Sequence, residues 1–158
     1  MLQPAPVQPT YIRYLVPGQN GMLADELNWS ADSRSVETVA GIGFGLAVSQ
    51  GVNDTGCIIG GSAYVGVTRA DTTLPQAAGT TPDVYAKGDT AGVLTMGDIW
   101  VNCYASVTPA TAVVFEAATG KLGIAGTSIP DARWMTTAVG SAGTPVLAVL
   151  RLGSATGK

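Results

Sequence analysis

A chain with no histidine lacks the side chain that most often serves as general base and zinc ligand, and every Ser-His-Asp or Cys-His arrangement is lost with it. The acid–base chemistry that remains belongs to carboxylates, and a facing pair of the glycosidase kind is what they would have to supply. The eleven acids are instead scattered. Asp54, Asp71, Asp83, Asp89, Asp98 and Asp131 each stand beside Gly, Thr or Pro, where aspartate ordinarily bonds to the backbone of a turn. No Asp-x-Asp-x-Asp-Gly run supplies the oxygen cage that calcium takes. Gly41-Ile42-Gly43-Phe44-Gly45 has neither the spacing of a dinucleotide loop nor the following helix and later acid, and reads as a strand with close-packing glycines. Cys57 and Cys103 admit one disulfide, but two isolated cysteines in a reducing cytosol read first as small buried apolar residues. No catalytic set, metal or cofactor is expected, and the chain reads as a protein that binds other surfaces.

The residues suited to binding are aromatic and Arg, which dominate interface energetics. Tyr11, Ile12, Arg13 and Tyr14 form an amphipathic patch between prolines, Trp29 and Arg34 sit in a charged early stretch, and Arg133 and Trp134 lie between Pro130 and Gly140. These eight are the candidate partner contacts, with Trp134 and Arg133 placed against a sister subunit. Trp100, on an alternating run, is expected in the core.

Composition favours the same reading. Of 158 residues, 46% are hydrophobic and only 12% charged, about half the charge of an ordinary domain. Such a surface must be covered by hydroxyls, small residues or another protein, because large bare apolar patches are rare on monomers. Oligomerisation or permanent docking is therefore expected. A net charge of −3 without a basic run argues against nucleic acid. No window has the eighteen or so apolar residues of a membrane helix, and MLQPAP lacks the features of a signal peptide. A soluble protein made in the cytoplasm is expected, with no membrane partner.

These residues must be positioned by strands, since no dozen residues keep a 3.6 period free of Gly and Pro. Residues 1–20, with Pro4, Pro6, Pro9 and Pro17, read as an extended arm, and 21–158 as one domain. Residues 21–38 read as a loop with short extended pieces, with room for one helical turn over 22–27. Strands are expected over 42–48; over 63–69, with Val65 and Val67 on one face and Tyr64 on the other; and over 83–85, leading to a Lys87-Gly88-Asp89 turn. Further strands follow over 93–96, turning at Gly97-Asp98, and over 99–104, with Ile99, Val101 and Cys103 opposite Trp100, Asn102 and Tyr104. Residues 112–117 and 121–124 read as a hairpin around Ala118-Thr119-Gly120, and 146–152 closes the domain. The fold class is all-β, a single-domain sandwich or jelly-roll-like barrel.

Gly21-Met22-Leu23-Ala24-Asp25, Asp32-Ser33-Arg34-Ser35-Val36-Glu37 and Gly43-Phe44-Gly45-Leu46-Ala47-Val48 follow one another in an order that resembles the start of tailed-phage capsid cement, or head decoration, proteins. Val65-Gly66-Val67-Thr68-Arg69, Tyr85-Ala86-Lys87-Gly88-Asp89, Gly97-Asp98-Ile99-Trp100-Val101, Ala118-Thr119-Gly120-Lys121-Leu122, Ala132-Arg133-Trp134-Met135 and Val146-Leu147-Ala148-Val149-Leu150-Arg151-Leu152 resemble that family's later blocks. The resemblance runs from about Gly18 to Leu152 and departs from the family at Pro109-Ala110-Thr111, where the family has glycine. It implies a β-sandwich or jelly-roll-like module on the outside of a phage head. The module would bridge neighbouring major capsid protein subunits as a homo-dimer or homo-trimer, with no chemistry of its own. The competing reading is a surface-displayed recognition module, such as a tail or lectin-like carbohydrate-binding protein.

Overall fold

The computed structural model describes residues 18–74 and 83–153, so the expected arm lies outside the described residues except for Gly18, Gln19 and Asn20. Thirteen strands and no helix occur among the described residues. They are β1 (Ser30–Val36), β2 (Ile42–Gly43), β3 (Ala47–Gln50), β4 (Gly56–Ile59), β5 (Tyr64–Thr68), β6 (Val84–Tyr85), β7 (Thr90–Cys103), β8 (Ser106–Val107), β9 (Val114–Phe115), β10 (Thr127–Ser128), β11 (Arg133–Trp134), β12 (Ala138–Val139) and β13 (Val146–Leu152).

Five of them close a ring in the order β1-β4-β3-β5-β7, because β7 pairs antiparallel with β1 as well as with β5. Only the β1–β4 join is parallel. A closed sheet has no edge to protect, and alternate residues of each strand fill its interior. Val36, Val48, Cys57, Ala91 and Val93 do so, with Ile42, Phe44 and Tyr85 packed beside them. Phe44 meets Tyr85 edge to face at 5.3 Å, and the Tyr85 hydroxyl donates to Arg69 O at 2.7 Å.

The opposite faces of the same strands form a second core. Ala47, Val67 and Leu94 pack there with Phe115, Leu122 and Trp134. The second half of β7 leaves the ring and pairs with β13, from Gly97 opposite Leu152 to Cys103 opposite Val146. Burial along Ile99–Cys103 alternates as the sequence predicts, and β13 has the bounds read from its residues. The hairpin at Ala118-Thr119-Gly120 forms, with Gly120 at φ +70 and its N–H donating to Glu116 O at 2.8 Å. Both cysteines are free and buried.

Five expectations are corrected. Residues 30–36 form the strand β1. Only Val36 of its seven residues is buried, so the pairing that holds it on β4 and β7 leaves no hydrophobic period to read. The run over 42–48 splits into β2 and β3, because Gly45 takes φ +67 between them. Val65 and Val67 do not share a face. Val48 pairs with Gly66 but Ser49 with Tyr64, so Val65 is the extra residue of a bulge, which sends it into the barrel and turns Tyr64 toward the outer core. Gly97-Asp98 is not a turn but the bend of one continuous strand, with Gly97 at φ +127. Trp100 is half-buried on the face opposite Ile99, outside both cores.

A Cβ at Gly97 would stand 2.8 Å from Trp29 Cβ, on a backbone that L-residues avoid at about 1–2 kcal/mol. Gly97→Ala is expected to lower stability by about 2 kcal/mol in urea unfolding. Gly143→Ala, whose Cβ meets nothing within 4 Å, should stay within about 0.5 kcal/mol of the native chain.

Candidate protein-contact surface

From Gly21 the chain runs beside the second half of β7. Gly21 N donates to Trp100 O at 2.7 Å, Trp100 N to Met22 O at 2.8 Å, and Ala24 N to Asp98 O at 2.8 Å. Leu23, opposite Ile99, turns into the core, so its neighbour Met22 faces solvent. The chain then leaves β7 in a turn where Asp25 Oδ1 accepts Leu27 N at 2.9 Å, and returns at Ser30 opposite Met96. This excursion leaves Leu27 85% and Trp29 40% exposed, and Met96, paired with Ser30 at its end, is exposed as well. Trp29 passes the Gly97 bend at its Cα and Cβ, and its ring carries the Arg69 guanidinium 4.6 Å from the centroid, a cation–π contact that orients both groups. Beside this face Arg151 forms a two-pronged pair with Asp98, at 2.7 Å on each oxygen.

Among the described residues, Trp29 alone of those singled out from sequence belongs to this face. Tyr11, Ile12, Arg13 and Tyr14 lie outside the described residues. Arg34 shares the barrel-facing side of β1 with Val36, and its guanidinium turns inward, donating to Gln50 Oε1 at 2.6 Å and lying 3.7 Å from Asp32. Trp134 is not a contact residue of the surface. It is the largest fully buried side chain, because on the short strand β11 alternation points Arg133 outward and Trp134 into the core that holds Phe115 and Leu122. Arg133 is exposed, paired across the sheet with Arg151. Met22, Leu27 and Met96 were missed, since isolated apolar residues in a polar stretch have no period to mark them.

A second feature was also missed. The Glu37 carboxylate, just past the end of β1, accepts Val52 N at 2.7 Å, Asn53 N at 2.9 Å and Asn53 Nδ2 at 2.8 Å. The loop between β3 and β4 wraps around it so closely that a Cβ at Gly51 or Gly56 would overlap the carboxylate. These backbone donors hold the Glu37 carboxyl below its ordinary range. The glycines bracketing Val52-Asn53-Asp54-Thr55 are the only trace of the clamp in the sequence.

Other groups with chemical potential are turned to structural use. Asp71 accepts Thr73 N and Oγ1, and Asp89 accepts Ala86 N. Burial pushes up the thiols of Cys57 and Cys103 and raises Tyr85 to about 12, which keeps all three protonated near neutrality. Among the described residues no three of His, Cys, Asp or Glu gather as a metal site.

Residues 7–153 match the family model described as structural cement protein (E217 gp24/Pam3 gp6). Among solved structures, a chain from the capsid of Myoviridae phage XM1 shares the fold, with a TM-score of 0.63 at 15% identity over 91% of this chain and 95% of that one. No curated protein matches.

The Glu37 carboxyl ionises at lower pH in the folded chain than in the unfolded one. Its contribution is therefore complete above the ordinary carboxylate value of about 4.3 and is lost as pH falls through the lowered folded value. Glu37→Gln should melt below the native chain at pH 7, and the gap should close as calorimetry is carried below about pH 4.

Proposed function

The chain belongs to the phage structural cement protein family, and from that premise we propose that it binds the outer surface of a phage head and bridges neighbouring major capsid subunits. It is made in the host cytoplasm and acts as a homo-dimer or homo-trimer in the virion. The carrying observation is that Leu27, Trp29 and Met96, close in the chain or across the β1–β7 pairing, are exposed on a chain with 12% charge. Trp29 is already ordered by Arg69 and the Gly97 bend, so little side-chain freedom is lost when a partner covers it.

A shell under pressure from packaged DNA fails where subunits separate. A clip burying a standard interface of about 1,600 Å² across that boundary adds to the work of separation, and many copies multiply a modest local gain. Gly18, the first described residue, lies against Trp100 and Met22 beside this face. Tyr11, Ile12, Arg13 and Tyr14 are proposed to extend the contact along the shell, with an arm in polyproline form reaching about 3.1 Å per residue. Arg133, exposed on β11, is proposed as a contact to a sister subunit.

Purified protein mixed with expanded heads of its own phage should bind saturably, at a ratio set by the shell's symmetry, and raise the temperature of head rupture. Trp29→Ala should weaken binding roughly thirtyfold, as removal of a central aromatic anchor does, without changing the fold seen by circular dichroism. Absence of binding to compact and expanded heads alike would refute the proposal, and a glycan array would then test the carbohydrate-binding alternative.

A further inference from the structure

β1 runs between two exposed features. Its first residue, Ser30, follows Trp29, and its last, Val36, precedes Glu37. Seven residues at about 3.3 Å each separate the Trp29 face from the Glu37 clamp by roughly 20 Å, so one flat contact of a few residues does not cover both. At the clamped end Val52 is 95% exposed and Val39 81%.

An exposed valine is ordinary; the way this one is held is not. Val52 N and Asn53 N are both taken by Glu37. Gln50 Nε2 donates to Asn53 O at 2.7 Å and to Asp54 O at 3.2 Å. Gly56 N closes onto Asn53 O at 2.9 Å and Gly51 N onto Gly56 O at 3.1 Å. With Val52 N, Asn53 N, Asn53 O and Asp54 O bonded inward, the Val52 side chain and the Asp54 carboxylate are the apolar and the charged group that the loop exposes. The groove between the loop and β1 is lined by Asp32, Arg34, Asp54 and Thr55. Arg34 is turned to Gln50 and Asp32, which leaves Asp54 without an ion-pair partner among the described residues.

We infer that the Val52 tip is a second, preorganised docking surface, seated in an apolar recess bordered by Lys or Arg on a shell subunit other than the one under Trp29. The carboxylate at its rim calls for a basic border, and the clamp removes the ordering that a free loop would lose on binding. This inference rests on the head-binding reading. It supplies what that reading needs, since a bridge has two ends.

The test compares the native chain, Val52→Asp and the milder Val52→Thr in titrations of expanded heads. A photo-crosslinker placed at position 52 or at position 29 supplies the second readout. Val52→Asp should melt as the native chain does yet bind roughly tenfold more weakly or worse and fail to raise the rupture temperature, with Val52→Thr between them. The two crosslinkers should label separate capsid sites. Native-like binding and stabilisation by Val52→Asp, or labelling of one common site, would overturn the inference while leaving head binding intact. Failure of the native chain itself to bind would overturn both.

Discussion

A strand that closes a barrel with one half and carries a further strand layer with the other has to leave the ring between them, and in this protein β7 does so at the Gly97 bend. The first half of β7 closes the barrel through β1 and β5, and the second half carries β13. With β7 straight, the barrel and the β13 layer would compete for one direction of the sheet. The bend is open only to a residue with positive φ and no Cβ, since Trp29 fills the space where one would sit. The strand that joins the cores and the aromatic residue on the exposed face are thus fixed by one contact.

Several of the few charges act as internal staples. Glu37 gathers the loop between β3 and β4, Asp98 holds Arg151 across two strands, and Arg34 binds Gln50 at the barrel's end. Asp25, Asp71 and Asp89 each satisfy turn N–H groups. Polar groups at the barrel wall are used in the same way, as where Thr68 Oγ1 donates to Gly43 O at 2.7 Å and accepts Leu46 N at 3.1 Å. A charge already paired within the chain adds less to the hydration that a partner must displace when it covers the surface.

That economy suits a structural cement protein, whose work is to remain bound. Rigid loops and anchored aromatics lower the entropy lost at an interface, and a closed barrel withholds the strand edges that would pair with the wrong neighbour.

What the sequence by itself determined were the features written in local chemistry. The all-β class, the alternation along Ile99–Cys103, the Gly120 turn and the span Val146–Leu152 follow from a period of two and from turn residues. The buried, unpaired cysteines follow from cysteine's apolar character, and family membership was legible in the order of the blocks. Tertiary structure alone decided what depends on partners distant in the chain. A polar segment became β1 because β4 and β7 offered backbone bonds on both sides. One extra residue opposite Ser49 reversed the faces of Tyr64 and Val65. Trp134 went inward and Trp29 stayed out because the core of Phe115, Leu122 and their neighbours packs around one, while the other meets the Gly97 bend and the Arg69 guanidinium. Burial is a property of what packs against a side chain, and no short stretch of sequence contains that neighbour.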